Sequence, residues 1–211
     1  MEIQFQNVCP HVFKGVALTS DIWNATFVLS GQDRVQISAH SGKGKTSMLY
    51  FLLGLRDDFS GAIMLDGINS KELSQKQWIA YRKQKVSCVF QDLQLIEKLT
   101  VEQNIELIPQ FAEKYTKEKA FEMLKELGLA DKWKSFVGTL SFGQKQRVAL
   151  IRSLCKPFEL LICDEPFSHL DQGNKLKCIS LIDKRLQEEQ AGLLLTSLDG
   201  EIALDLKTAE L

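Results

Sequence analysis

Apolar and polar residues alternate over 3–8, from Ile3 through Phe5 to Val8, the period of a strand with one buried face. Residues 25–29 read as a second strand closed by Ser30-Gly31, and 34–38 as a short third. Over 46–55 the period lengthens: Met48, Leu49, Leu52, Leu53 and Leu55 recur at helical spacing and predict a helix with one apolar face. Residues 61–65 return to strand and run into an Asp66-Gly67 turn. A further strand over 86–90, broken only by Ser87 and Cys88, delivers Gln91 at its end.

The texture then changes. Leu99-Thr100-Val101-Glu102 has the form of a helix start with Thr100 as cap, and 115–127 keeps helical spacing through Ala120, Met123, Leu124 and Leu127 before Gly128 stops it. Strand and helix alternate again from Ser141 onward: an apolar strand over 160–163, a helix over 175–187, a strand over 193–196 and a last one over 202–206. The pattern predicts an α/β core interrupted by a helical insert, without internal repeats.

Composition changes this picture little. The chain has 211 residues, 45% of them hydrophobic, enough for one substantial core. A formal charge of −1 gives no basic footprint, so no nucleic-acid partner is expected. The apolar runs are strand-length, far short of a membrane span, and the first residues carry no secretory leader. Five scattered cysteines (Cys9, Cys88, Cys155, Cys163, Cys178) have no paired spacing, which points to reduced thiols and a cytoplasmic domain.

Chemistry concentrates at three places. Between the third strand and the first helix stands Ala39-His40-Ser41-Gly42-Lys43-Gly44-Lys45-Thr46, followed by Ser47. Small residues there let backbone amides turn onto phosphate oxygens at the positive end of a helix. Lys45 is placed to bridge the β- and γ-phosphates, and the Thr46 hydroxyl to ligate magnesium. The second place is the apolar run Leu160-Leu161-Ile162-Cys163 ending in Asp164-Glu165, two carboxylates where an α/β sheet presents its ligands. The third is Leu140-Ser141-Phe142-Gly143-Gln144, a turn opening a helix over 144–155.

In this order, with Gln91 between them, these elements resemble the ATP-binding cassette (ABC) ATPases over nearly the whole chain. The resemblance implies a P-loop NTPase (RecA-like) α/β core, 1–91 and 146–211, with an inserted helical subdomain, 92–145. It implies ATP and Mg2+ as ligands. His40, Ser41, Gly42, Lys43, Gly44, Lys45, Thr46 and Ser47 would cradle the phosphates. Thr46, Gln91 and Asp164 would serve the metal, Asp164 through a water, and Glu165 would orient the attacking water. The segment 166–171 resembles the family's D-loop in Ser168, Leu170 and Asp171, with His169 where alanine is common. Ser141, Gly143 and Gln144 would cover the γ-phosphate held by a second copy, so the resemblance also implies a homodimer through the nucleotide sites. Residues 89–92 and 99–104 resemble the lipoprotein-releasing, macrolide-exporter and cell-division branch. A separate membrane-spanning permease-like subunit is the implied partner, with this chain peripheral on the inner face of the cell membrane.

Adenine usually stacks on an aromatic upstream of the loop. Phe13 is the first candidate and His11 the second, and Phe13 as a filler of the core edge stands beside both. Three departures mark this chain: Ala39 for the first glycine of the loop, Phe142 for a glycine in the signature turn, and no switch histidine. Ser197 occupies the histidine's position as the remaining polar group of the catalytic set Glu165, Gln91 and Ser197. Loss of one preorganised transition-state donor costs about 2.7–4 kcal/mol. Two functions therefore stay open, a slowly hydrolysing transporter subunit and a cassette that binds ATP as a dimerising switch. A soluble ABC protein acting on DNA or ribosomes is disfavoured by the near-neutral charge.

Overall fold

The computed structural model describes residues 1–38, 42–108, 116–197 and 204–211. In chain order the elements are β1 (Glu2–Pro10), β2 (Thr26–Ser30), β3 (Arg34–Ser38), α1 (Lys45–Leu52), β4 (Phe59–Leu65), β5 (Ile68–Asn69), α2 (Gln75–Gln84) and β6 (Val86–Val89). They continue with α3 (Val101–Glu106), α4 (Lys117–Glu126), α5 (Phe142–Leu154), β7 (Leu160–Asp164), α6 (Gln172–Glu189), β8 (Gly192–Ser197) and β9 (Lys207–Glu210).

Two sheets form. One is antiparallel in the order β2-β1-β4-β5, and the other pairs β6-β7-β8-β3-β9 with every neighbour parallel. Parallel strands buried on both faces read as continuous apolar runs, and β7 is buried along its whole length. Its side chains divide by the period of two. Leu160 and Ile162 join the apolar cluster shared with α1 and the antiparallel sheet, whereas Leu161 and Cys163 join the cluster shared with α5 and α6. Leu194 of β8 goes to the first cluster, and Leu193 and Leu195 to the second.

The cluster on the antiparallel side is rich in rings: Phe5 and Phe51 each meet Trp23 edge-on, at 6.3 Å in both cases. The opposite cluster is mostly aliphatic and takes in Val101 and Ile105 of α3 and Ala120, Met123 and Leu124 of α4. The middle helices therefore pack on the same cluster as the parallel sheet. Helix α5 runs unbroken through residue 145, so the expected boundary between insert and core falls inside one helix.

Several limits differ from the sequence pattern. α1 stops at Leu52, with Gly54 in a left-handed turn just beyond, so Leu55 lies outside the helix and half exposed. Helix α2 has too thin an apolar face to be read from spacing: only Tyr81 is buried, and a Ser74–Gln77 capping box starts it. The strand expected over 202–206 is corrected to β9, Lys207–Glu210, which lies beside β3; residues 202 and 203 are outside the described set. All five cysteines are free.

Candidate active site

Because the five strands are parallel, their carboxyl ends gather on one edge, with Ser38 level with Ser197 and Asp164 level with Thr196. The loop leaving β3 enters α1 through Gly44, at φ 96, with no capping side chain. A Cβ on Gly44 would meet the Phe13 ring at 3.0 Å and the Trp23 ring at 3.3 Å, so the position requires glycine for both conformation and space. The Trp23 indole donates to the Lys43 carbonyl at 3.1 Å and ties the loop to the aromatic core.

A cavity of about 330 Å³ opens at this edge. Gly42, Gly44, Lys45, Thr46 and Ser47 form one wall, with Phe13, Gln91 and Glu165 around them. Lys45 is nearly buried, and its Nζ lies 3.4 Å from Glu165 Oε1. Behind them the Thr46 hydroxyl donates to Asp164 Oδ2 at 3.3 Å, and the Thr196 hydroxyl donates to Asp164 Oδ1 at 2.6 Å. Burial raises the Asp164 carboxyl above its ordinary range, opposed by the Thr196 bond and assisted by the nearby Glu165 charge. A buried acid held between hydroxyl oxygens is suited to a divalent cation.

Phe13 lines the cavity and packs on the core edge. His11 opens a short 3-10 turn and is not on the cavity wall, whereas Val12, missed by the sequence reading, is. Ser197 ends β8 level with Ser38 and is also off the wall. The buried hydroxyl that reaches the acidic pair belongs instead to its neighbour Thr196. Its sequence signal was a polar residue closing an apolar strand. His40 and Ser41 lie outside the described residues.

Ser141, Gly143 and Gln144 sit away from this cavity, at the start of α5. Ser141 Oγ accepts from the Gln144 amide at 3.3 Å, and Gln144 Oε1 accepts from the Ser141 amide at 2.9 Å. Gly143 passes so close to the D-loop that a Cβ would lie 2.9 Å from the His169 carbonyl. Phe142 and His169, the two unusual residues of these segments, pack against each other with ring centres 4.3 Å apart and planes tilted by 55°.

A second cavity, of about 380 Å³, lies between β6, α2 and α5. Leu53, Leu55, Phe90 and Leu107 line it together with Arg82, Arg152 and Lys156. Backbone carbonyls hold all three cations: Arg82 donates to Leu53, Arg152 to Leu93 and Gln94, and Lys156 to Arg82 and Val86. Burial pushes the Lys156 amine down to about 8.

With this geometry in view, comparison with known proteins is direct. The ABC transporter family model matches residues 22–168. The lipoprotein-releasing system ATP-binding protein LolD of Buchnera aphidicola is 33% identical over 184 residues, 83% of this chain and 80% of that protein. The macrolide export ATP-binding/permease protein MacB of Aggregatibacter actinomycetemcomitans is 30% identical over 92% of this chain, which spans only 29% of MacB. Among solved structures, the dimeric bacterial ABC transporter cassette MJ0796 superposes with a TM-score of 0.79 at 27% identity, covering 93% of this chain and 88% of that one. A second dimeric MJ0796 structure, in a post-hydrolysis state bound to ADP and Pi, matches equally well. The chain belongs to the ABC transporter family. It is an ABC ATPase cassette with a P-loop NTPase core, related to the lipoprotein-release and macrolide-export branch.

Proposed function

We propose that this chain is the ATP-binding and slowly ATP-hydrolysing subunit of a transporter, working as a two-fold pair with a separate membrane-spanning partner. The observation that carries the reading is the convergence of Lys45, Thr46 and Glu165 on one cavity at the carboxyl edge of the parallel sheet, with Asp164 bonded to Thr46 behind them. Lys45 presents a single ammonium to the β- and γ-phosphates. Once a phosphate takes that ammonium, the Glu165 carboxylate loses its partner 3.4 Å away and is available to orient a water. Thr46 Oγ1 and Asp164 Oδ2 are hard oxygen donors suited to Mg2+, which when bound neutralises charge on the β- and γ-oxygens.

The signature turn stands apart from its own chain's cavity, which supports its action on a second copy's nucleotide; the dimeric MJ0796 structures support the same arrangement. Hydrolysis is slow in this reading because Ser197 is off the cavity wall and offers no imidazole. The second cavity supports a partner: its apolar walls and three cations suit a segment carrying apolar residues and a carboxylate. Among the described residues no helix is long and apolar enough to cross a membrane. The likeness to LolD, the ATP-binding protein of a releasing system, supports a spanning partner and a place for this chain at the inner membrane face.

Phosphate release by the purified chain, beside Glu165→Gln, tests the reading. Slow magnesium-dependent turnover in the parent, lost in the variant while ATP binding persists, is expected. ATP binding with no turnover in the parent would replace hydrolysis by a binding switch.

A further inference from the structure

Glu165 has φ 49, in the left-handed region. A residue with a Cβ enters that region only when its surroundings hold it there. Here the hold comes from two sides. The Glu165 amide donates to both the carbonyl and the hydroxyl of Thr196, each at 3.2 Å. Thr196 is fully buried and passes its own hydroxyl proton to Asp164. On the other side the Glu165 carbonyl accepts from Gln146 Nε2 at 3.2 Å and from the Ser168 amide and hydroxyl at 3.4 and 3.3 Å.

Gln146 is 3% exposed, and its buried Oε1 has no hydrogen-bond partner among the described residues. The amide's oxygen carries a burial cost, and its hydrogen bonds come from the nitrogen, which donates to the Glu165 carbonyl and to Ser168 Oγ.

We propose that Thr196 and Gln146 are the positioning residues of the hydrolytic carboxylate. Together they clamp the Glu165 peptide from β8 and from α5, and so fix the left-handed turn that brings its side chain to Lys45. The inference rests on the reading of Glu165 as the group that orients water. It extends that reading to two residues that are not on the cavity wall.

The test compares Thr196→Val, Thr196→Ser and Gln146→Ala by steady-state hydrolysis, ATP affinity and crystallography. Thr196→Val and Gln146→Ala should each lower kcat about tenfold or more while KM for ATP moves less than about threefold. Thr196→Ser, which keeps the hydroxyl, should recover most of the rate. Thr196→Val should also raise the magnesium requirement, because it strips a bond from Asp164, whereas Gln146→Ala should not. In crystals of Thr196→Val or Gln146→Ala, residue 165 should leave positive φ or swing its carboxylate away from Lys45. Parental kcat in both variants, an equal loss in Thr196→Ser, or an unmoved residue 165 in both crystals would overturn the proposal. Absence of turnover in the parent would strike only the hydrolysis reading, and the crystals would then decide the clamp alone.

Discussion

Helices α1 and α5 both begin at places the motifs mark, and they begin in opposite ways. α1 is entered through a left-handed glycine, which makes no side-chain capping hydrogen bond. α5 is closed by a reciprocal capping box in which Ser141 and Gln144 satisfy each other's amides. A helix start without a capping side chain leaves its positive end to an incoming anion. A capped start has two of its four free amides satisfied from within, and here the Ser141 hydroxyl proton and the amides of Phe142 and Gly143 remain to be offered outward. In the proposed reading, the contrast separates a helix start left open to its own chain's nucleotide from one offered to a second copy's.

The hardest way to break this contrast is at α1. Lys45→Ala should fold, because the Lys45 side chain borders an open cavity, and lower ATP affinity about 100-fold or more by calorimetry, as expected for loss of a charge-assisted phosphate contact. Parental affinity in the folded variant would remove α1 as the phosphate site.

At α5 the expected effect is smaller and of a different kind. Ser141→Ala deletes the cap, which is worth about 1 kcal/mol, and should lower Tm by about 2–4 °C. It should leave monomer ATP affinity unchanged and weaken ATP-driven pairing of a Glu165→Gln background in light scattering. A loss of monomer affinity would mean that the two helix starts serve the same nucleotide.

The contrast is sharpened by pH. Burial raises the folded-state pKa of Asp164 above the ordinary 3.8 of aspartate. Between those two values the folded chain holds a proton that the unfolded chain has released, so stability falls as pH rises through that window and the penalty stays in place above it. Asp164→Asn never carries the charge. Without nucleotide its Tm should exceed the parent's by about 2 °C at pH 7.5, with the advantage shrinking toward pH 4. An advantage independent of pH would rule out the buried charge as its cause.

The smallest effect is expected at His169. A D-loop histidine in a chain without the switch histidine invites a compensating role, but this ring is packed against Phe142 and its Nδ1 lies 2.9 Å from Ser168 Oγ. His169→Ala should leave turnover within about twofold and loosen only the contact between D-loop and signature turn, a pair worth about 0.5–1.5 kcal/mol. A sharp drop in turnover restored by Ser197→His would reinstate compensation.

What the sequence made legible follows the strength of each local signal. β7 announces itself because burial on both faces forces an unbroken apolar run, and α3 because Thr100 and Gln103 complete a capping box. The phosphate loop and the acidic strand end were readable because their chemistry tolerates few residue types. Trp23 was not, since its work on Lys43 depends on a contact twenty residues away that no period encodes. Thr196 and Gln146 were hidden for the same reason: each looks like an ordinary member of its strand or helix until the fold brings both to Glu165. The apolar pattern of 202–206 misplaced the edge strand because Leu204 and Leu206 pack on the core from an irregular segment.

The straight run of α5 between its cap and Gln146 also works as a ruler. Five residues separate Ser141 from Gln146, a rise of about 7.5 Å, and each added residue turns the helix by about 100°. An insertion or deletion between Gln144 and Gln146 would leave the capping box and a good helix, yet swing the Gln146 amide off the Glu165 carbonyl. The spacing between the two glutamines of Gln144-Lys145-Gln146 is therefore a measured length, and its tolerance is less than one residue.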